Sequence, residues 1–190
     1  MKKILSLALL TGVFFFFGCT KNVSTTMSTT TSPTTGETTV KWKTYENTTH
    51  WFSLQYPSTR TFQENAYGVP VIFFSPLTSA DDKLKENVGI GVTTETKTYT
   101  LDEFRQVRKA SFDKQFSGFV EVSNENIKIN DMDAKKVIYT CMQENMKLKF
   151  EEVYVVKGNT RYIITYTATE GTFNEFAKNV DEIIATFEIK

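Results

Sequence analysis

The amino-acid sequence predicts an α+β fold in which an antiparallel β-sheet is sandwiched by helices. Short β-branched and aromatic segments follow one another with turns too short for parallel crossovers, which makes the strands antiparallel. Two amphipathic helical segments need a sheet to cover their apolar faces. Several strands are also apolar on both faces, as at residues 137–139 and 162–164, which is typical of a sheet buried on both sides.

The first predicted strands lie before residue 95. Residues 51–56 are rich in aromatic side chains and end at Pro57, whose ring cannot continue a ladder. Residues 42–45 are expected to pair with this strand across a short turn. The apolar runs 69–74 and 88–94 predict two more strands, and the polar residues 78–87 between them predict a loop.

Two helices are predicted from their capping residues. Thr100 followed by Glu103 forms a capping box, and apolar residues at helical spacing continue toward Gly118. Thr172 and Glu175 repeat the box before the closing helix. Between the helices, four segments predict successive strands: residues 119–129, 134–142, 148–156 and 162–168.

The amino terminus predicts a bacterial lipoprotein signal over residues 1–18. Two lysines precede residues 4–17, an uncharged apolar run shorter than the roughly 20 residues of a spanning helix. Gly18 and Cys19 follow directly, so this end resembles a lipoprotein signal. The resemblance implies cleavage after Gly18 and acylation of the Cys19 sulfur. A plain secretory signal with an incidental Cys19 is the alternative.

Residues 19–41 are predicted to be a lipidated cysteine followed by a disordered linker. Residues 20–40 hold ten Thr and three Ser and cannot build a core. As a flexible coil this segment would hold the following domain about 25 Å from the lipid. The folded domain is predicted to span residues 42–190.

Three segments of the folded part resemble the PsbP-related domains, whose PsbP/Mog1/DcrB-like members share an α/β/α sandwich. They are Phe52–Pro57, residues 162–167 and residues 183–187. The family often continues the Tyr-Pro pair with Gly and Trp, whereas this chain has Ser58, Thr59 and Arg60. The resemblance implies the fold and a non-enzymatic tendency, and it implies no shared ligand.

Composition excludes several classes of site. The 22 basic and 22 acidic residues cancel, so no strong field favours nucleic acid as a partner. A single His excludes sites built from two or more histidines, and two Cys are too few for a four-Cys zinc site. No catalytic residue, cofactor or metal ligand is therefore assigned.

Individual candidates each have a plain structural interpretation. Cys141 is expected to be a small hydrophobic residue in a strand, and not a nucleophile activated by His50. His50 is expected in a surface turn, where Glu46 alone cannot complete a metal site. Asp131 and Asp133 suit a cation such as calcium, but the hairpin-turn interpretation is preferred.

Other charged and glycine-rich segments are expected to be structural. The same turn or loop interpretation applies to Asp81 and Asp82. The segment Gly89–Gly91 is read as strand, and Glu151 and Glu152 should face opposite sides of their strand. The basic residues Arg105, Arg108 and Lys109 are balanced by acids on the same helix and are expected to form a solvated face.

Two functional classes remain. The first is a membrane-anchored extracytoplasmic binding or accessory module, attached to the lipid bilayer through acylated Cys19 and contacting an unknown protein or small ligand. Its contact surface is expected at residues 59–70 and 76–87, the two longest connections. The alternative is a hydrolase or other enzyme, for which the sequence offers no recognisable constellation.

Overall fold

A computed structural model describes residues 40–77, 82 and 84–190 of the chain. The described residues form ten strands and two helices in the following order. They are β1 (Trp42–Asn47), β2 (Phe52–Pro57), β3 (Thr61–Ala66), β4 (Val69–Phe74), β5 (Asn87–Thr94), α1 (Leu101–Gln115), β6 (Ser117–Ile129), β7 (Met132–Gln143), β8 (Met146–Lys157), β9 (Thr160–Thr169), α2 (Phe173–Ala185) and β10 (Glu188–Ile189).

The strands form two antiparallel sheets. The larger sheet has seven strands in the order β3-β4-β5-β9-β8-β7-β6, and the smaller has three in the order β1-β2-β10. In the larger sheet, strands that are consecutive in the chain, such as β6 and β7, are joined by tight turns; the β6–β7 turn runs from Ile129 to Met132. The predicted antiparallel arrangement is confirmed.

The seven-stranded sheet separates two hydrophobic cores. On one face, Phe104 and Phe112 of α1 pack on Tyr139, Phe150 and neighbouring residues of β7, β8 and β9. On the other face, α2 and the three-stranded sheet cover a larger core. The predicted sandwich is thus confirmed, and on the second face the small sheet supplies much of the cover.

Strand β6 lies at an edge of the large sheet and is irregular. It is 13 residues long, and its pairing with β7 shifts register between Ser117 and Val120 and again between Glu121 and Ser123. Such bulges bend an edge strand and re-aim its side chains. They place Glu121 toward α1.

The prediction that residues 59–70 form a long connection is wrong. Thr61–Ala66 is strand β3, which pairs with β4 through a tight turn at Tyr67 and Gly68. Both turn residues have positive φ, 55° and 76°, as a two-residue hairpin turn of type I′ requires. Apart from Phe62 and Ala66 the β3 residues are polar, and most of the strand is exposed, so this edge strand lacks the apolar alternation by which a strand is recognised.

The capping box is confirmed at α1 and wrong at α2. Thr100 Oγ1 accepts a hydrogen bond from the Glu103 amide at 3.2 Å, and Glu103 Oε2 accepts one from the Thr100 amide at 2.9 Å. Thr172 instead has a helical backbone and makes no side-chain cap. Thr169 Oγ1 accepts from the Thr172 amide at 3.1 Å, so the cap comes from the end of β9.

Candidate functional site

A shallow cleft lies between helix α1 and the edge strand β6. Arg105, Lys109 and Phe112 come from α1, where spacings of three and four residues place them on one helix face. Phe119 and Glu121 come from β6. The side chains of Tyr139 and Tyr154 line it from the sheet below. We call this feature the α1–β6 cleft.

A buried ion pair lies beside the cleft. Arg108 of α1 binds the Glu152 carboxylate through Nη2, and its Nε donates to Oε2 at 3.3 Å. Tyr154 donates its hydroxyl to the same Oε2 at 2.5 Å, and Thr165 Oγ1 donates to Oε1 at 3.3 Å. The Arg108 guanidinium also lies 4.4 Å from the centre of the Phe112 ring. Glu152 is thereby held as a paired carboxylate.

Electrostatics reinforce this pair. Burial would lower the pKa of Arg108, but the charge and hydrogen bond of Glu152, together with the nearby Tyr154 and Tyr139, more than offset it, so the net shift is upward. Burial, and next the charge of Glu152, raise the pKa of both Tyr139 and Tyr154 well above the usual range. Both phenols therefore stay protonated at physiological pH and can only serve as neutral hydrogen-bonding groups.

The mouth of the cleft carries a second ion pair, between Arg105 and Glu121. Arg105 Nη2 donates to Glu121 Oε1, which also accepts from Asn124 Nδ2 at 2.8 Å. The remaining atoms, Arg105 Nε and Glu121 Oε2, are buried without a hydrogen-bond partner. The Tyr139 hydroxyl has no hydrogen-bond partner within 3.5 Å, but a weak hydrogen bond to Glu152, as well as the charge of that carboxylate, contributes to its raised pKa.

The α1–β6 cleft presents charged and hydrogen-bonding side chains beside aromatic rings. It is shallow and open to solvent, with room between its side chains for little more than one water molecule, whereas pockets for drug-sized ligands enclose roughly 300–1,000 Å³. The carboxylates of Glu121 and Glu152 are each held by an arginine. Neither is placed as a proton acceptor for a substrate, because a general base must reach the proton it removes.

The prediction that Arg105, Arg108 and Lys109 form a solvated face is wrong for the two arginines. Both reach across to strand carboxylates, and only Lys109 follows the prediction, pairing with Asp113 at 2.8 Å on the exposed surface. Acidic residues on α1 lie within one helical turn of these arginines, so the sequence suggests pairs within the helix and gives no sign of the strand partners Glu121 and Glu152. A signal was present at Glu152, because Phe150 and Tyr154 lie two residues to either side on the same strand face.

Cys141 lies where the sequence predicts, in the core of the sheet. It is 1% exposed, and burial raises the pKa of its thiol to about 11. His50 lies in the β1–β2 turn, where its amide donates to Asn47 Oδ1 at 2.8 Å and its carbonyl accepts from the Tyr162 hydroxyl at 3.0 Å. Among the described residues, no hydrogen bond or ion pair joins Cys141 to His50, or His50 to Glu46.

The acidic turn residues are not assembled into a cation site. Asp133 pairs with Lys128 at 2.9 Å, and Asn130 and Asp131 form the tight β6–β7 turn. Asp82 Oδ1 accepts from the Leu84 amide at 3.2 Å, and Asp81 lies outside the described residues. Across the residues the structure describes, no group of three or more His, Cys, Asp or Glu is placed to hold a metal ion.

Two further expectations about strands agree with the structure. Gly89 and Gly91 lie within β5 and pack against Val69. Glu151 and Glu152 face opposite sides of β8: Glu151 pairs with Lys136 at 3.0 Å, on the face away from Arg108. Both carboxylates are buried.

Exposed nonpolar side chains cluster at one end of the edge strand. Val120 and Val122 of β6 are 55% and 56% exposed, and Met142 of β7 is 40% exposed. Val120 lies opposite Thr140, two residues from Met142. We call these three residues the β6–β7 patch. It lies at the end of the large sheet where β6 begins and β7 ends.

The predicted signal and anchor residues, including Gly18 and Cys19, lie outside the described residues. Within the described part of the chain, the structure contains no helix that is both long enough and nonpolar enough to cross a bilayer.

Comparison with known proteins identifies relatives at the level of family and fold. The sequence matches the profile of the PsbP-like protein family over residues 3–189. No curated protein gives a significant sequence match.

Solved structures with the same fold share little sequence with this chain. The solution structure of cyanobacterial PsbP from Synechocystis sp. PCC 6803 has a TM-score of 0.59 and 13% identity, covering 84% of this chain and 98% of that one. LpqN, involved in cell envelope biogenesis of Mycobacterium tuberculosis, has a TM-score of 0.62 and 9% identity, with 81% and 93% covered. The Saccharomyces cerevisiae Ran-binding protein Mog1p has a TM-score of 0.56 and 8% identity, with 80% and 96% covered.

Proposed function

The chain belongs to the PsbP-like protein family, and from this premise we propose that it is a membrane-anchored extracytoplasmic binding or accessory module without enzymatic activity. The observation that carries the proposal is the position of Cys19 directly after Gly18 and the apolar run 4–17. Cleavage after Gly18 would leave Cys19 as an acylated amino terminus. Two or more acyl chains hold a protein stably at a bilayer, whereas one binds reversibly.

The geometry of the described domain supports binding over catalysis. Its cysteine is buried with a raised thiol pKa, and the carboxylates at the α1–β6 cleft are held by arginines. Among proteins with this fold, one is a Ran-binding protein and another takes part in cell envelope biogenesis. We carry across only the general class of binding or accessory role.

We place the contact surface for a protein partner at the β6–β7 patch. Of the two connections expected from the sequence, residues 59–70 are largely occupied by strands β3 and β4. The other, residues 76–87, includes residues 78–81 and 83, which lie outside the described residues. Val120, Val122 and Met142 instead expose nonpolar area at the same end of two neighbouring strands, and exposed nonpolar surface that forms a patch is typical of an interaction site. The described chain begins with β1, which starts beside the end of β2, and β2 leads directly to β3. The register across the large sheet runs from the start of β3 to the start of β6, through Thr61, Phe74, Asn87, Thr167, Phe150, Tyr139 and Glu121. The patch therefore lies at the end of the domain where the described chain begins.

Removal of the acylated sulfur tests the anchor. Cys19→Ala should move the protein from the membrane fraction to the soluble extracytoplasmic fraction. Cys141→Ala is the matched control, because it removes the chain's other cysteine from the core and should leave the protein at the membrane. Mass spectrometry of the mature parent protein should show an acylated amino-terminal cysteine. Retention of Cys19→Ala at the membrane would contradict the proposal.

Crosslinking in intact cells tests the binding role. A photoreactive amino acid at Val122 should give one stoichiometric product with a partner protein. The same group at Val107 is the control, since this valine is also exposed, at 47%, but lies on α1. Equal products from both positions, or none from Val122, would contradict the assignment of the patch.

A further inference from the structure

Three polar atoms in the α1–β6 cleft are buried and have no hydrogen-bond partner within 3.5 Å. They are Arg105 Nε, Glu121 Oε2 and the Tyr139 hydroxyl, and all three residues line the cleft. Buried polar groups are nearly always paired, because an unpaired one loses its hydration without compensation. Arg105 Nε and Glu121 Oε2 therefore keep hydrogen-bonding capacity that a group bound in the cleft can use.

The Arg105–Glu121 pair uses only part of the hydrogen-bonding capacity of each side chain. Arg105 donates from Nη2 alone, and Glu121 accepts at Oε1 alone. A carboxylate that faces the Nε and Nη2 edge of a guanidinium can accept two parallel hydrogen bonds. The internal pair does not reach this arrangement, so Arg105 keeps an unused donor beside an occupied one.

The Glu121 side chain lies at an irregular part of the edge strand, where it can turn out of the cleft. It belongs to the edge strand, and the register with β7 shifts between Glu121 and Ser123. Its side chain is 11% exposed, and that of Arg105 is 20% exposed, so the pair lies at the mouth of the cleft. If Glu121 turns outward, Arg105 remains with an uncompensated positive charge in a largely buried position.

We propose that the α1–β6 cleft binds the carboxylate of an acidic ligand, which displaces Glu121 and pairs with Arg105 through both Nε and Nη2. The neutral Tyr139 hydroxyl donates a further hydrogen bond. Lys109, which pairs with Asp113 on the surface, has its Nζ 5.4 Å from the centre of the Phe119 ring, and this ring contacts the carbon part of the ligand. Glu121 is then an internal competitor that occupies the site until a ligand arrives.

This inference rests on the proposed binding role and names its ligand chemistry, but it does not depend on the lipid anchor. Removal of the Glu121 charge distinguishes this proposal from the alternative that the Arg105–Glu121 pair is purely structural. If the pair only stabilises the fold, then loss of the Glu121 charge should weaken or leave unchanged any affinity for anions. If Glu121 competes with a ligand, the same loss should strengthen it.

Binding of benzoate to the full-length protein tests the proposal. The readout is the Nε–H resonance of Arg105 in ¹H–¹⁵N spectra, which a bidentate carboxylate should shift. Benzamide has the same shape without the charge and should give no shift. Glu121→Gln should bind benzoate roughly tenfold more tightly, and Arg105→Gln should not bind it.

Lys114→Gln is the matched control, because this exposed lysine lies on the same helix outside the cleft and its loss should leave the affinity unchanged. Glu121→Gln with equal or weaker affinity would overturn the proposal. Equal affinity for inorganic phosphate would also overturn it, by showing recognition of charge and not of a carboxylate. A protein that crosslinks to a partner but ignores benzoate would refute only this inference, whereas benzoate binding without any crosslinked partner would refute only the protein-binding role.

Discussion

Arg108 and Glu152 join helix α1 to the seven-stranded sheet through a buried ion pair. Their side chains are 15% and 1% exposed, and Tyr154 and Thr165 donate further hydrogen bonds to the carboxylate. A charge in this position is tolerated only while its partner is present. The helix is therefore attached to the sheet by a polar contact as well as by the packing of Phe104 and Phe112.

Removal of Arg108 should strongly destabilise the fold. Arg108→Met leaves the Glu152 carboxylate buried without its counter-charge, and breaking a buried pair in this way costs about 3–5 kcal/mol. The free energy of unfolding is measured by urea denaturation at pH 7, followed by tryptophan fluorescence. Lys109→Met is the control: its pair with Asp113 is exposed, so its loss should cost at most about 0.5 kcal/mol.

The double variant Arg108→Met/Glu152→Leu separates pairing from packing. Removing both charges leaves no uncompensated ion, so most of the stability lost in Arg108→Met should return. If the double variant is as unstable as Arg108→Met, then the loss came from the packing of the arginine stem and not from the unpaired carboxylate.

The sequence predicts what depends on local pattern and misses what depends on contacts distant in the chain. The capping box at Thr100 was predicted because both partners lie within one helical turn. Strand β3 was missed, since most of its side chains are polar and exposed and only Phe62 packs against aromatic rings of the core. The α1–β6 cleft was missed because Arg105 and Arg108 have acids nearby in the sequence, while their actual partners lie 16 and 44 residues away.

Glu151 should make stability depend on pH. Burial raises the pKa of its carboxyl above the ordinary value, against the opposing charge of Lys136. A group with a higher pKa in the folded state stabilises the fold below its unfolded pKa, and this contribution disappears as the pH rises through its folded pKa. Glu151→Gln avoids burying the charge, so its stability relative to the parent protein should increase from pH 4 to pH 7.

Urea denaturation at both pH values measures this effect of Glu151. Lys136 keeps Asp181 as a partner at 2.9 Å in the variant, so the substitution leaves no buried unpaired cation. Glu46→Gln, at an exposed position in β1, is the control and should show no such trend. A relative stability of Glu151→Gln that stays constant or falls toward pH 7 would show that the Lys136 pair outweighs burial.

Cys141 should resist alkylation in the folded protein. Burial raises the pKa of its thiol to about 11, and the side chain is 1% exposed, so both the thiolate fraction and its access are low. In the Cys19→Ala chain, Cys141 is the only thiol. Iodoacetamide labelling at pH 7.5 should be at least a hundredfold slower in buffer than in urea; rapid stoichiometric labelling of the folded chain would show that this thiol is accessible and reactive.

The β3–β4 turn should be sensitive to replacement of Gly68. This glycine has a φ of +76°, and a Cβ at this position would meet no atom within 4 Å. Gly68→Ala therefore introduces no collision, and its cost is the left-handed backbone itself, about 1 kcal/mol. Gly158→Ala, at a φ of +60° and with equally open space, should lose a similar amount of stability.

Gly89→Ala, in strand β5 next to β4, should increase stability, whereas Gly68→Ala should decrease it. Gly89 lies within β5, and a Cβ there would meet the Val69 and Ile72 side chains at ordinary contact distances of 3.9 and 4.0 Å. Alanine reduces the conformational entropy of the unfolded chain at no steric cost, so Gly89→Ala should gain about 0.5 kcal/mol. The midpoints of urea denaturation for Gly68→Ala and Gly89→Ala should therefore move in opposite directions. If Gly68→Ala and Gly89→Ala lose equal stability, then steric crowding, and not the sign of φ, determines where this sheet requires glycine.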